Sequence, residues 1–496
     1  METPCDRSLA YALENFGGAR LGDRRRTQRL VRCAARIVQR PGGTLPDKFK
    51  DPAELKGLYR LMDGDSVTHA AVLEPHRRRT LERMRACVGD VLIVHDTTEL
   101  DYTGKASLQH LGQIGNGSHR GYLCHNSLAI AVAGREAPGP VIAAGAREVL
   151  GLASQILHCR PEAPEGESRA ARRDKPERES RLWQRGSEAI GPSPAGRRWI
   201  DVCDRGGDLF EYLDYKHVSG GHYVVRSKHD RQLEPSSPDS ASNPGAAKPP
   251  AAAPMLHAFA RALPELGRKT ISIPVRDKRP ARQATVRVGA GRVRLSPPRQ
   301  ARGEHGDAAL TAWVVYIGEI GAGEIGGPSE SDAVEWILLT NIPTAGFAEA
   351  CERSDWYSCR WIVEEYHKAQ KTGCGIEAPQ FTSEERLEPM IGLLSVVAVS
   401  LLELRCASRR ADAAQRPVRE IVAPEYVEVL SAWRHKIIRP NWSVLEFFMA
   451  LARLGGHQNR KRDHPPGWLV LWRGWSTLEN MVLGVRAMET VRCGQT

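Results

Sequence analysis

Short apolar runs of strand length place the strongest constraint on the fold of this chain. Three successive runs are followed by two more, and a helical pattern, DLFEYL, separates the last two. That order indicates a mixed sheet covered by helices. The sequence therefore predicts an α/β fold built on these runs, which are VLIVHD (91–96), SLAIAV (127–132), PVIAAG (140–145), RRWIDVCD (197–204) and HYVVRS (222–227).

Two of the runs end in a carboxylate. VLIVHD ends at Asp96, and WIDVCD ends at Asp204. Side chains alternate along a strand, so Asp204 shares a face with Val202, while Asp201 points to the other side. An ionised carboxylate is costly to bury alone, so either acid needs a partner or a structural role. The structural alternative for each is a cap of a helix or loop.

Residues 356–373, WYSCRWIVEEYHKAQKTG, predict an amphipathic helix with an unusual polar face. Spacings of three and four residues bring side chains together on a helix. They place one carboxylate, Glu364, among three cations and a phenol. The polar face consists of Tyr357, Arg360, Glu364, Lys368 and Lys371, and the apolar face consists of Ile362, Val363, Tyr366 and Ala369.

A metal site follows if the three acids Asp96, Asp204 and Glu364 meet at the carboxyl edge of one sheet. Close carboxylates repel one another and need a cation, and hard oxygen ligands select Mg²⁺, with Mn²⁺ as a substitute. Two such ions activate an attacking oxygen and stabilise the leaving one at phosphorus. The cations on the same helix would then contact a nucleic-acid backbone. Nearby acids and a histidine are weaker candidates, namely His95, Glu99, Asp101, Asp201 and Asp208.

The charge balance favours a polyanionic partner, because the chain has a net charge of +11 and a pI of about 9.2. Residues 1–70 have a helical pattern, in which Asp23 is a candidate N-cap for a basic helix. An arginine stripe runs along that helix opposite Val31, Ala34 and Val38. It predicts phosphate contacts by Arg25, Arg29 and Arg32, whereas the alternative is a solvated basic face that also includes Arg36 and Arg40.

Several classes of protein are disfavoured by the sequence. The 11 cysteines are scattered without a zinc-binding spacing, which suits reduced thiols in a cytosol. No stretch approaches the run of about 20 apolar residues that spans a bilayer. The first residues show no secretory signal. We therefore expect a cytosolic protein with no membrane partner.

The remaining segments have simpler patterns. Residues 234–254 are low in complexity and predict a flexible loop, and residues 269–296 predict a β-hairpin or small sheet with a cationic face. MIGLLSVVAVSLLELR (390–405) predicts a core helix. Near the end of the chain, Trp468, Trp472 and Trp475 recur at helical spacing. This ridge is equally consistent with the core of its own domain and with a subunit interface.

Taken together, the motifs closely resemble bacterial cut-and-paste transposases of the DDE class, in the IS-four family and most like the transposon-five type. The resemblance extends over nearly the whole chain. It is carried by LGDRRRTQRLVRCA (21–34), AELKGLYRLMDGDSV (53–67), DTTEL (96–100), VCDRGGDLFEYL (202–213), YSCRWIVEEYHKAQKTG (357–373), ARLGGHQNRKRD (452–463) and WLVLWRGW (468–475).

The resemblance implies an RNase-H-like catalytic domain (71–408) with a β-rich insertion at about 226–345. Helical domains flank it, one for terminal-repeat binding (1–70) and one for dimerisation (409–496). It implies that Asp96, Asp204 and Glu364 are catalytic and hold two Mg²⁺ ions. It also implies DNA contacts by Tyr357, Arg360, Lys368, Lys371, Arg226 and Lys228, and stacking of a displaced base on Trp336. The chain departs from the family at Gly206 and Gly207, where the family usually has Glu-Ala, and in its longer low-complexity segment.

The activity implied by the resemblance is Mg²⁺-dependent DNA transposition. A homodimer would bind and pair inverted terminal repeats, hydrolyse one strand, form and reopen a hairpin, and join the 3′-OH ends to target DNA. Two alternatives remain open at this point. One is an RNase-H-like two-metal nuclease without strand transfer, and the other is an inactive DNA-binding relative.

Overall fold

The computed structural model describes most of the 496 residues. The described ranges are 5–132, 147–161, 177–234, 254–273, 282–298, 305–321, 332–410, 412–439, 441–460 and 466–493, with a few isolated residues between 164 and 175 and at 463. The predicted strand PVIAAG and nearly all of the predicted loop 234–254 lie outside the described residues.

Helices lie at both ends of the chain, and the strands lie between them. The helices are α1 Cys5–Phe16, α2 Arg24–Gln39, α3 Leu45–Lys48, α4 Pro52–Met62, α5 His69–Ala86, α6 Leu182–Ile190, α7 Phe210–Val218, α8 Leu256–Ala262, α9 Phe347–Ser358, α10 Trp361–Lys368, α11 Glu384–Ser408, α12 Pro424–His435, α13 Val444–Leu454 and α14 Trp468–Cys493. The strands are β1 Asp90–Asp101, β2 Gly112–Gln113, β3 Arg120–Val132, β4 Arg147–His158, β5 Trp199–Cys203, β6 His222–Arg226, β7 Gly267–Ile273, β8 Arg282–Leu295, β9 Leu310–Glu319 and β10 Glu335–Thr340.

The described strands form one mixed sheet in the order β2-β3-β1-β5-β6-β10-β9-β8-β7, with β4 paired to the outer side of β3. Strands β1, β3 and β4 are antiparallel, whereas β5 and β6 run parallel to β1. The predicted mixed α/β fold is confirmed, and this arrangement is consistent with an RNase-H-like core flanked by helical regions.

Strand β4 was missed by the sequence analysis, because REVLGLASQILH lacks a strict alternation and interrupts its pairing with β3. Its register shifts twice, and Gly151 adopts a φ of +140° between the shifts. A side chain at that position would meet Thr80 Oγ1 at 2.2 Å. Glycine is therefore required where helix α5 crosses the strand.

The predicted hairpin at 269–296 is present as β7 and β8, but it is not a separate small sheet. Strands β9 and β10 connect it to β6 and so continue the central sheet. Its predicted cationic face is largely neutralised. Lys269 pairs with Asp355, Arg282 pairs with Glu319, and Arg287 lies 4.4 Å from the ring of Tyr316.

Helix α11 is the predicted core helix, and it corrects one expectation. It is long and apolar enough to cross a membrane, with a mean hydropathy of 1.9, although the sequence analysis found no such stretch. In the fold, 78% of that apolar window is buried. Because α11 is apolar on most of its surface, it is buried by other parts of the protein on most of its surface. Its neighbours include α2, α4, α5 and β4.

The N-terminal helices share their hydrophobic core with α11 and the sheet, since Leu30 of α2 and Val397 belong to one cluster of buried side chains. The C-terminal helices have a core of their own, which includes Val427, Phe447 and Leu478. The domain boundaries at residues 70 and 408 stay predictions.

The tryptophan ridge packs against its own chain. Trp475 stacks on Tyr426 with 5.5 Å between ring centroids, and Trp472 lies against Gly42 of the N-terminal region. The Nε1 of Trp468 donates a hydrogen bond to Glu365, and Arg405 lies 4.6 Å over the same indole. Of the three tryptophans, only Trp475 packs in the C-terminal core as the first alternative predicted. The subunit-interface alternative stays a prediction.

Candidate active site

Asp96 and Asp204 lie where the parallel pairing of β1 with β5 ends, although β1 itself continues to Asp101. His95 of β1 pairs with Cys203 of β5, so the next residue of each chain segment, Asp96 and Asp204, lies at the same level. Asp204 also caps the following turn, because its Oδ1 accepts a hydrogen bond from the backbone N–H of Gly206 at 2.8 Å. The capping alternative is thus correct for Asp204, and it leaves the second carboxylate oxygen free of that bond.

The turn after Asp204 explains why glycines occupy positions 206 and 207, the first of the two departures from the resembled family. A Cβ on Gly206 would lie 2.5 Å from the indole of Trp183, and a Cβ on Gly207 would lie 2.6 Å from the Cβ of Cys203. Real Cβ atoms do not approach other atoms so closely, so side chains at these two positions would displace Trp183 or the turn itself. Trp183 on α6 and the two glycines therefore form one packed unit behind Asp204.

Glu364 reaches the same place from helix α10. The prediction of a single helix over 356–373 is wrong, because a tighter turn at residues 359–360 separates α9 from α10. The N–H groups of Cys359 and Arg360 bond carbonyls three residues back, at 3.0 Å each. A π-helical turn, Ala369–Gly373, follows α10. The apolar side of the pattern is confirmed, since Val363, Tyr366 and Ala369 are fully buried.

Arg360 joins two of the acids. Its Nη1 lies 3.3 Å from Oδ2 of Asp96 and 3.3 Å from Oε1 of Glu364. Burial and the neighbouring charge of Asp204 raise the pKa of Asp96 to about 7, while Arg360 opposes the rise and Glu364 adds to it. Asp204 and Glu364 are therefore close enough to destabilise the charge of Asp96, and one guanidinium offsets part of this effect.

His367 also belongs to this site and was missed. Asp96, Glu364 and His367 each offer a ligand atom within 4.8 Å of the others, and this is the metal-capable group found among the described residues. Asp204 is not in this group, so its predicted role as a ligand stays a prediction. Burial, Lys371 and Arg360 lower the pKa of His367 to about 3, so the ring is neutral at neutral pH. The spacing of Glu364 and His367, one helical turn apart, was the available signal.

Tyr357 and Trp336 form an aromatic pair beside the acids. Their ring centroids lie 5.2 Å apart in an edge-to-face arrangement. Trp336 on β10 is half-buried, whereas Tyr357 is buried and hydrogen-bonds with Arg226 of β6. The predicted residues Tyr357, Trp336 and Arg226 are thus brought together.

The predicted lysines are more dispersed. Lys371 lies 3.5 Å from Glu377, and Lys368 is exposed and lies 3.8 Å from Glu365. Lys228 is exposed after β6, and its backbone N–H donates to Asp208. The prediction of one continuous helical face is wrong for Tyr357, which belongs to the preceding helix α9, and the lysines' contacts with DNA stay predictions.

The weaker candidates have other partners. Asp201 is buried on the opposite face of the sheet, where Lys216 Nζ lies 2.8 Å away and Tyr212 donates to the same oxygen at 2.7 Å. His95 lies 3.5 Å from Asp201. Glu99 accepts the N–H of Gly115, Asp101 accepts the hydroxyl of Thr103, and Asp208 pairs with Arg231.

The arginine stripe of α2 is divided into two parts. Asp23 caps the helix as predicted, accepting the N–H of Arg25 at 2.8 Å. Arg36 pairs with Glu54, and Arg40 pairs with Glu479. The remaining three arginines of the stripe are exposed and, among the described residues, form no ion pair. They are Arg25, Arg29 and Arg32.

One comparison with known proteins concerns this same region. Residues 8–67, which include α2 and α4, match the family model described as transposase DNA-binding. The match covers the free arginines of α2 and ends just before α5. The similarity of residues 8–67 to transposase DNA-binding domains supports DNA as a partner of the chain and a DNA-binding transposase.

Proposed function

We propose that this chain is a metal-dependent DDE transposase of the IS-four family and transposon-five type. It binds inverted terminal repeats as a homodimer, cleaves them by hydrolysis and hairpin formation, and joins the 3′-OH ends to target DNA. The observation that carries the proposal is the convergence of Asp96, Asp204 and Glu364 from two parallel strands and one helix. The DNA-binding match at 8–67 supplies the partner.

The donor set fits a divalent metal ion. The carboxylate oxygens of Asp96, Asp204 and Glu364 would hold it, and oxygen ligands of this kind select Mg²⁺ or Mn²⁺. Arg360 offsets the repulsion only in part, since its contacts of 3.3 Å exceed the 2.7–2.9 Å typical of charged hydrogen bonds. When bound, a pair of such ions supplies charge stabilisation for in-line attack at phosphorus.

The protein's own groups orient the DNA for that attack. Arg360, already between Asp96 and Glu364, is placed to bind a phosphate oxygen of the scissile group. Tyr357 and Arg226 are hydrogen-bonded to one another, and in this proposal they bind the backbone of the same DNA strand next to β6. A hydroxyl of water or of a freed 3′ end attacks in line, and the opposite oxygen leaves. No protein nucleophile is needed, so one site serves every step.

Hairpin formation requires distortion of the duplex, because the 3′-OH must reach the phosphate of the opposite strand. A displaced base needs an aromatic surface. Trp336 supplies it in this proposal, since its ring is half-buried, beside the acids, and braced by Tyr357.

A donor-plasmid assay tests the function. The DNA that flanks the gene is searched for inverted repeats, and these are placed around a marker and incubated with purified protein, Mg²⁺ and a target plasmid. We expect hairpin-ended excised fragments and then joined products. Nicking without joining would indicate a nuclease. Binding without cleavage would indicate an inactive relative, and Glu364→Gln provides the matched inactive control.

A further inference from the structure

Beyond the three acids, the site contains a nitrogen donor on the same helix as one of them. We propose that His367 is a direct ligand of the divalent cation, so that the site binds cations that accept imidazole, such as Mn²⁺, more tightly than Mg²⁺. This inference rests on the proposed metal-dependent function and adds a fourth ligand to it.

The first argument is distance. A ring nitrogen of His367 lies within 4.8 Å of a carboxylate oxygen of Asp96 and of Glu364. Two ligands on opposite sides of one ion, each bonded at about 2.1 Å, are about 4.2 Å apart, and adjacent ligands are closer. Small side-chain adjustments therefore bring all three atoms onto one cation.

The second argument is burial. His367 is only 7% exposed, and it follows Glu364 by three residues, on the inward side of α10. Burial therefore keeps the ring against the two carboxylates rather than in solvent.

The third argument is the support of the ring. Asn126 of β3, which pairs directly with Asp96, contacts Nε2 of His367 at 3.2 Å. The Oδ1 of Asn126 accepts from Gln155 at 2.7 Å, and Gln155 also donates to Ser395 at 2.9 Å. As placed, the amide nitrogen of Asn126 faces Nε2. Turning the amides of Asn126 and Gln155 over would present the oxygen of Asn126 to Nε2–H and leave Nδ1 for the cation. Metal-binding histidines usually donate their second ring N–H to an oxygen in this way.

The fourth argument is chemical preference. Imidazole nitrogen is a ligand of first-row transition metals, of which Mn²⁺ is the weakest binder, whereas Mg²⁺ prefers oxygen and water. An imidazole in the ligand set therefore favours Mn²⁺ over Mg²⁺. Replacing His367 with Gln keeps a side chain that bonds Asn126 but exchanges the nitrogen donor for an oxygen. The variant should therefore lose affinity for Mn²⁺ and change little toward Mg²⁺.

Pulsed electron paramagnetic resonance of Mn²⁺ bound to the full-length protein tests the proposal without using activity. We expect nitrogen modulation from one imidazole in the wild type and none in His367→Gln. The dissociation constant for Mn²⁺ should rise about tenfold or more in that variant. His119→Gln, at an exposed histidine beside Asp101, is the matched control and should match the wild type.

Three results would separate the possibilities. Mn²⁺ that is lost in Glu364→Gln but shows no nitrogen modulation in the wild type would overturn the His367 ligand and leave the proposed function intact. Nitrogen modulation that persists in His367→Gln would assign the nitrogen to another residue and overturn the inference. Mn²⁺ binding unaffected by Glu364→Gln would reject the carboxylate site and the inference together.

Discussion

The ring of Trp336 meets the ring of Tyr357 edge to face, with 5.2 Å between their centroids. The pair connects strand β10 with the C-terminal end of α9, so the ring of Tyr357 restricts the movement of the indole. We predict that Trp336→Ala leaves the first nick nearly intact and slows hairpin formation by about 5- to 150-fold. That range corresponds to the roughly 1–3 kcal/mol of one base stacked on an aromatic ring.

The time courses of nicked and hairpin products on one labelled substrate would check this. Tyr357→Phe keeps the ring that braces Trp336 and loses only the hydroxyl, so it should retain hairpin formation better than Trp336→Ala. Equal loss of both steps in Trp336→Ala, together with a lower melting temperature, would make Trp336 a core residue only.

A second prediction concerns the repulsion among the acids. Because burial and neighbouring carboxylates raise the pKa of Asp96 to about 7, its ionisation opposes folding at pH 8. Asp96→Asn should raise the free energy of unfolding in chelator by roughly 1–4 kcal/mol, while abolishing nicking. Mg²⁺ should stabilise the wild type and have little effect on the variant. Urea unfolding with and without Mg²⁺ would measure both, and an Asp96→Asn protein less stable than the wild type in chelator would contradict the argument.

The third prediction concerns the free arginines of α2. Arg29→Ala should reduce the salt dependence of terminal-repeat binding by about 0.9 in the slope of log K against log salt concentration, since one phosphate contact is lost. Arg36→Ala is the control, because Arg36 lies 3.3 Å from Glu54 and is partly neutralised. Equal slopes for Arg29→Ala and the wild type would indicate that Arg29 makes no phosphate contact and that the stripe is a solvated basic face.

A fourth prediction uses the buried His76. Its Nε2 accepts the backbone N–H of Leu152 at 3.0 Å, and its Nδ1 bonds Asn15 at 2.6 Å, so the ring is neutral. Burial lowers the pKa of His76 to about 3. The unfolded chain therefore binds the proton first, and stability falls as pH drops below about 6.5 toward 3.

Replacing His76 with Gln puts an amide oxygen near the position of Nε2, where it accepts the N–H of Leu152, and removes the titration. Between pH 7.5 and pH 5, the wild type should lose about 2 kcal/mol more than His76→Gln in urea unfolding. His119→Gln, at a side chain that is 62% exposed, should follow the wild type. Parallel pH profiles for the wild type and His76→Gln would show that another group controls acid sensitivity.

The sequence predicted the fold well where patterns were local. Asp96 and Asp204 were found because each ends an apolar run, and the parallel register then brought them to one level. His367 was missed because the sequence analysis assigned it to neither the polar nor the apolar face of the predicted helix, although it follows Glu364 by one turn. Strand β4 was missed because its bulges at Gly151 break the alternation. The pairing of Lys371 with Glu377 was missed because Glu377 lies beyond the irregular turn that ends α10, so helical spacing does not relate the two residues.

The contact between Trp468 and Glu365 bears on how deletion variants of this protein are to be interpreted. Glu365 directly follows Glu364 on α10, a helix of only 8 residues with an irregular turn at each end. Arg405 holds the same Glu365 carboxylate at 2.7 Å. A protein cut before α14 therefore loses a brace on the helix that carries Glu364, so its failure to cleave would not by itself reveal a defect in pairing two DNA ends. Trp468→Phe removes the N–H donor to Glu365 and keeps an aromatic ring in a full-length chain. It therefore separates loss of the brace on α10 from loss of DNA-end pairing.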